Sequence, residues 1–209
     1  MAKIFRVSVR AGMTRVVEPL ARSLLRAGVS PNTVTVAGTV GVLVGAIGFG
    51  ARGQFIPGLI IVTLSALTDM LDGTMARLRG GTSRFGAFLD SSMDRIADSA
   101  IFGAVAYWLA TQDDRLGLVA ALICLAAGQV VSYVKARAEG LGMTCNVGIA
   151  ERPERLITVG VGGLLSAVGL DWGLSAVLWI LAVLSVITVG QRVAHVHGQA
   201  RDAKVSVDA

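Results

Sequence analysis

Six stretches of this 209-residue chain carry no Asp, Glu, Lys or Arg: 27–51, 53–68, 99–112, 116–134, 156–170 and 172–191. Gaps of this length constrain the fold more tightly than any other feature. A helix needs about 20 mostly apolar residues to cross a hydrocarbon layer of about 30 Å. The gaps at 27–51, 116–134 and 172–191 meet that requirement directly. Those at 53–68 and 99–112 are shorter, and each abuts a segment bearing carboxylates. Extended to 53–79 and 85–111 they span only if those carboxylates face inward. The spacing therefore predicts an all-α integral membrane protein with six transmembrane helices, near 33–52, 54–79, 85–111, 115–138, 153–170 and 172–194. Charged residues make up only 16% of the chain, against about a quarter in soluble domains. That excludes a soluble globular enzyme, and the 54% hydrophobic content excludes disorder.

Positive charge alternates between the two ends of these spans. Lys3, Arg6, Arg10, Arg15, Arg22 and Arg26 precede the first, and Arg77, Arg79 and Arg84 join the second to the third. Lys135, Arg137, Arg152 and Arg155 join the fourth to the fifth, and Arg192, Arg201 and Lys204 follow the sixth. The other side has only Arg52 and Arg115, beside Asp113, Asp114 and Asp171. The positive-inside rule places both termini in the cytoplasm, which requires an even number of spans. The bias of 16 Arg to 3 Lys points to a GC-rich bacterial genome, and so to a bacterial plasma membrane. Residues 1–28 read as a basic amphipathic helix in the membrane interface, with Ile4, Val9, Met13, Val16, Leu20 and Leu24 on its apolar side and Pro19 as a kink. Ser30-Pro31 reads as the start of the first span. Gly38, Gly41, Gly45 and Gly48 give that span a face of small residues for close helix packing. The organisation is thus an interfacial helix (1–28), a transmembrane catalytic domain (29–196) and a cytoplasmic tail (197–209). The net charge of +5 fits contact with lipid headgroups and phosphorylated substrates rather than nucleic acid. Two cysteines, Cys124 and Cys145, make neither a disulfide framework nor a metal cluster.

The chemistry concentrates in residues 69–98. Asp69 and Asp72 are three apart, and Asp90 and Asp94 four apart, so each pair projects from one helix face. The pairs lie near the cytoplasmic ends of consecutive spans joined by a turn at 80–83, which sets four carboxylates opposite one another. Ionised groups at membrane depth cost several kcal/mol each unless compensated. Divalent cations, Mg²⁺ or Mn²⁺, are the natural compensation for hard carboxylate oxygens. Two such ions would clamp a phosphate or pyrophosphate. Gly73, Ala76 and Gly86, one turn from Asp69, Asp72 and Asp90, leave room beside the carboxylates, and Arg77 and Arg84 add positive charge. Asp98, one turn beyond Asp94, reads as structural.

The pattern Asp69-x-x-Asp72-Gly73-x-x-Ala76-Arg77, eight residues, Gly86-x-x-x-Asp90-x-x-x-Asp94 resembles the motif of the CDP-alcohol phosphotransferases at every diagnostic position. The resemblance implies transfer of a substituted phosphate from a CDP-linked donor, CDP-diacylglycerol, to an alcohol, with release of CMP. It implies Asp69, Asp72, Asp90 and Asp94 as ligands of two divalent metals, and Asp94 also as the base that takes the acceptor's proton. It further implies a donor pocket from Gly73, Ala76, Arg77, Ser83 and the start of the first span, Asn32, Thr33, Val34 and Thr35. A homodimer is also implied.

For the acceptor, Lys135, Arg137, Arg152 and Arg155 gather on the cytoplasmic side, where Arg192 ends the sixth span, a basic cluster suited to a substrate with its own phosphate. Residues 132–156 are similar to the corresponding stretch of bacterial phosphatidylinositol phosphate synthases, which implies inositol 1-phosphate as acceptor and Lys135, Arg152, Arg155 and Arg192 as the acceptor-phosphate site. Glycerol 3-phosphate, the acceptor of phosphatidylglycerophosphate synthases, is the alternative, and the cluster alone does not separate the two. A cation transporter is the reading from another class. It would favour discontinuous helices and paired repeats, which the sequence lacks.

Overall fold

The computed structural model describes residues 17–205. The first sixteen residues, and with them most of the interfacial helix expected over 1–28, lie outside the described residues. Residues 17–26 are helical (α1). The chain continues through α2 (Pro31–Leu43), α3 (Phe55–Ala66), α4 (Thr68–Leu78), α5 (Arg84–Thr111), α6 (Arg115–Gly140), α7 (Arg152–Ala167) and α8 (Asp171–Val205). Among the described residues there is no strand.

The ends of these helices follow local rules. Ser30 caps α2, its hydroxyl accepting the Thr33 N–H at 3.1 Å, with Pro31 in the first turn. Beyond Leu43 the helix widens into a π-turn over Val44–Phe49 and tightens over Gly50–Arg52. It ends at Gly53, whose φ of 72° is left-handed. Only the one-residue irregularity at Leu67 separates α3 from α4. There the Thr68 hydroxyl donates to the Ser65 carbonyl at 2.5 Å, a side-chain bond that competes with the helical ladder. The break puts Asp69 in the first turn of α4, where a negative charge suits the helix dipole.

Among the described residues, four helical segments are long and apolar enough to cross a membrane: Pro31–Arg52, Phe55–Leu78, Arg115–Gly140 and Trp172–Arg201. Of the other two expected spans, α5 carries Arg84, Asp90, Asp94, Arg95 and Asp98 between its start and its middle, and α7 has only 16 residues. The last helix runs to Val205, well past the boundary expected near 194, so the start of the expected tail is helical.

The described chain packs as two compact units. One comprises the chain up to Gly48 together with Pro57–Ala100. Its core gathers Ala21, Val34 and Met75, with Leu24, Leu25, Val29 and Leu71 packed against them. The glycines of α2 face the next helix. A Cβ at Gly38 would stand 3.2 Å from the Ser65 carbonyl oxygen, and one at Gly45 would stand 3.0 Å from that of Gly58. At Gly48, expected on the same face, a Cβ would meet only Val44 of its own helix, at 4.0 Å. The far side of α2 exposes Val36, Val40, Val44 and Ile47, and that of α3 exposes Ile56, Ile60 and Leu64. Apolar stripes at a spacing of three to four residues are surfaces for lipid, not water.

The other unit comprises Phe49–Ile56 and the chain from Ile101 onward. Here α8 packs along α6 and α7. Leu174, Leu178, Leu181 and Ala182 of α8 and Ala120, Ala121, Cys124 and Val131 of α6 are buried. Phe55 meets Trp108 edge-on, ring centroids 4.7 Å apart. Asp114 caps α6 by accepting the Gly117 N–H at 2.8 Å and also accepts from the Ser175 hydroxyl.

Gly45→Val should cost about 1–3 kcal/mol by overpacking and lower the thermal midpoint of the detergent-solubilised protein. Gly48→Ala should leave that midpoint in place.

Candidate active site

The acidic motif sits on α4 and the first half of α5, within one unit. Helix α4 ends at Arg79, and Gly80 and Gly81, with φ of 95° and 124°, make the turn. Only glycine adopts such conformations freely. The Gly81 N–H closes the end by donating to the Ala76 carbonyl at 3.0 Å. Helix α5 begins one residue after Ser83, whose hydroxyl accepts the Gly86 N–H at 2.9 Å.

Asp72 is the buried member of the set, 7% exposed. Asp69 and Asp90 lie close enough for their charges to act on it. A buried carboxylate needs donors or a cation. Thr35, one turn into α2, supplies a donor: its hydroxyl reaches Asp72 Oδ2 at 2.5 Å. Asp94 is half-buried, with Arg95 Nη2 at 3.6 Å from its Oδ2. Asp98, read from the sequence as structural, is 3% exposed.

A carboxylate buried on a hydroxyl, in the field of two others, offers hard oxygen donors of the type that suits a divalent cation. Among the described residues no three Asp, Glu, His or Cys side chains stand close enough together to hold a metal ion. The fit therefore rests on donor type and field.

The expected donor-pocket residues divide by what they touch. Over Gly73 the backbone is open: a Cβ there would meet only Arg77 Nη1, at 3.8 Å. Arg77 is exposed and donates to the Thr74 hydroxyl at 2.8 Å. At Gly86 space is tight, since a Cβ would stand 3.1 Å from Ser83 Oγ and 3.3 Å from Asn32 Oδ1. Asn32 of α2 and Ser83 of the turn are thus brought together over Gly86. Thr33 is exposed, and its hydroxyl pairs with that of Ser30 at 2.8 Å. Val34 points into the core and Ala76 is buried, so either would meet a ligand mainly through backbone. Beside Thr33 opens an apolar cleft lined by Leu24, Val29, Val34, Leu64 and Leu71.

The four basic residues lie in the other unit. Lys135 Nζ is 3.9 Å from Glu139 Oε1, on a partly exposed face of α6. Arg152 opens α7. Arg155 is 1% exposed and lies over Gly128, where a Cβ would stand 3.4 Å from its Cζ. Arg192 is 3% exposed. It donates to the carbonyls of Val147 and Val131 at 2.8 and 2.6 Å, and to Glu151 Oε1 at 3.1 Å. Sequence reasoning assigns Thr35 only a nucleotide contact, because its partner Asp72 is 37 residues away.

Two consecutive helices that carry paired aspartates on either side of a glycine turn, in a chain with membrane-crossing helices, fit the class of membrane phosphotransferases. Residues 28–189 match the profile of the CDP-alcohol phosphatidyltransferases, and the chain belongs to this family of multi-pass membrane enzymes. It is 50% identical over 187 residues to phosphatidylinositol phosphate synthase of Mycobacterium marinum, covering 88% of this chain and 80% of that one. It is 48% identical over 208 residues to the enzyme of that name from Streptomyces avermitilis, covering 96% and 85%. The crystal structure of Mycobacterium tuberculosis phosphatidylinositol phosphate synthase with CDP-DAG bound superposes with a TM-score of 0.84 at 46% identity, over 87% of this chain and 94% of that one. The same enzyme in complex with manganese and citrate gives a TM-score of 0.82 at 46% identity, over 86% and 88%.

Thr35→Val should raise the divalent-metal concentration needed for half-maximal CMP release about 10–100-fold, as loss of a donor that orients a metal ligand does. A metal titration of the purified enzyme measures this.

Proposed function

We propose that the chain is a CDP-diacylglycerol:inositol-1-phosphate phosphatidyltransferase, which makes phosphatidylinositol phosphate and CMP. The observation that carries the acceptor is 50% identity to a phosphatidylinositol phosphate synthase across 88% of the chain.

Two divalent cations held by Asp69, Asp72, Asp90 and Asp94, Mg²⁺ first and Mn²⁺ as the other candidate, would neutralise the donor pyrophosphate and acidify the acceptor hydroxyl. Asp94 takes the proton of that hydroxyl as its oxygen attacks the phosphorus bearing the diacylglycerol, and the bond from that phosphorus to the CMP oxygen breaks. Asn32, Gly73, Arg77 and Ser83 hold the cytidine diphosphate, Thr33, Val34 and Ala76 meet it mainly through backbone, and Thr35 steadies Asp72. The apolar cleft beside Thr33 suits an acyl chain. Lys135, Arg152 and Arg155 receive the acceptor phosphate. Arg192 completes the cluster while tying Val131, Val147 and Glu151 together.

The reading extends to topology and assembly. Helices α5 and α7 complete six spans, with both termini and the site on the cytoplasmic side, as the Lys and Arg distribution supports. The 16 residues of α7 rise about 24 Å, short enough to need a locally thinned bilayer or flanking residues. The assembly is a homodimer, which a mass measurement in nanodiscs tests.

The purified protein should release CMP from CDP-diacylglycerol only with a divalent ion and inositol 1-phosphate, with phosphatidylinositol phosphate as the lipid product. Parallel reactions with free inositol and glycerol 3-phosphate decide the acceptor: phosphatidylglycerophosphate as the main product would overturn this reading. Asp94→Asn should lower kcat by at least about 10²-fold, the usual contribution of a positioned base. Lys135→Ala should raise the acceptor KM and leave the donor KM within about twofold, a binding loss confined to one substrate.

A further inference from the structure

The start of α7 lacks the usual local support. Its N-cap, Glu151, makes no capping hydrogen bond with its side chain, and Pro153 in the first turn has no N–H. The carboxylate that would cap the helix goes instead to Arg192, at 3.1 Å. The two amides just before it, those of Ile149 and Ala150, donate to the Thr188 hydroxyl at 3.2 and 3.0 Å. That hydroxyl in turn donates to the Leu184 carbonyl at 2.8 Å, and Thr188 is fully buried.

The same face of α8 holds the rest of the loop. Thr188, Arg192 and Gln199 are four and seven residues apart, so they share one side of the helix. Arg192 holds the Val147 carbonyl. Gln199 pairs with the backbone of Thr144 at two points, accepting its N–H at 3.0 Å and donating to its carbonyl at 2.6 Å. Gly148 permits the close approach. Its φ of 143° is a glycine conformation, and a Cβ there would stand 2.6 Å from Thr188 Cγ2. The segment 144–151 is thus laid along α8 by side chains 38 to 55 residues away.

We infer that Thr188 and Gln199 are positioning residues for the acceptor subsite: they strap the loop ahead of α7 to α8 and thereby set where Arg152 and Arg155 stand. The inference rests on the assignment of these arginines to the acceptor phosphate. Arg155 follows Ala150 by little more than one helical turn and lies buried over Gly128, so a shift in the start of α7 moves its guanidinium directly. Loss of the Thr188 hydroxyl leaves two amides without their acceptor, the costly side of hydrogen-bond deletion.

Kinetics of Thr188→Val, Thr188→Ser and Gln199→Ala test the strap with the full-length enzyme and with whichever phosphorylated acceptor the wild type uses. Thr188→Val should raise the acceptor KM about tenfold, with the donor KM within about twofold, and Thr188→Ser should restore it. Gln199→Ala, at an exposed bond, should raise the acceptor KM about two- to threefold and serves if Thr188→Val does not fold. An unchanged acceptor KM, or a donor KM rising in parallel, overturns the strap. A wild type inert toward every phosphorylated acceptor overturns the functional reading instead. Hydrogen exchange then still tests the strap without turnover: amides 144–155 should exchange faster in the variants, while unchanged exchange there would discard it.

Discussion

The arrangement depends on accommodating a carboxyl group at the depth of a membrane bundle. Asp72 is buried among helices whose outer faces are apolar, so bulk water is not there to solvate it. The Thr35 hydroxyl offsets part of that cost, and a hard cation shared with Asp69 and Asp90 would offset the rest. This requirement reaches into the helix packing. Thr35 meets Asp72 only because α2 lies close to α4, and the glycine face of α2 brings it close to the α3–α4 segment. The irregularity at Leu67 then places Asp69 at a helix start, where its charge is favoured.

The aspartate motif and the basic residues obtain their order by different means. Around the aspartates, order comes from short-range geometry: a helical pair, a two-glycine turn and a second helical pair. Around the basic residues it comes from long-range ties. Helix α7 is short, lacks a side-chain cap and is held from α8. Arg192 belongs to both roles, because a guanidinium with several donors can fasten backbone carbonyls while adding to a positive field. A basic cluster of this kind is built by burial as much as by sequence position.

Much of the fold was legible because the rules behind it are local. Charge avoidance in hydrocarbon marked the helices, and their ends fall within a few residues of those expected, except for the longer α8. The Ser30-Pro31 start and the turn at 80–83 followed from side-chain and glycine chemistry. Gly48 misled because the helix widens into a π-turn at 44–49, which shifts the face that a fixed period of 3.6 assigns. Thr33, Val34 and Ser83 fell within the expected donor pocket, but the structure gives their side chains capping and core contacts as well.

By itself the sequence determined the membrane character, the helical segments, the location of Asp69 and Asp72 on one helix and of Asp90 and Asp94 on the next, and the class of chemistry to which that motif belongs. Each of these follows from periodicity and charge read over fewer than about 30 residues. Only the tertiary structure decided that Thr35 serves Asp72, that Arg155 lies buried over Gly128, and that Thr188, Arg192 and Gln199 hold the loop before α7. Those contacts join residues 27 to 61 positions apart. Hydroxyl, amide and guanidinium groups carry no periodic signal, and their partners are chosen by which helices pack together.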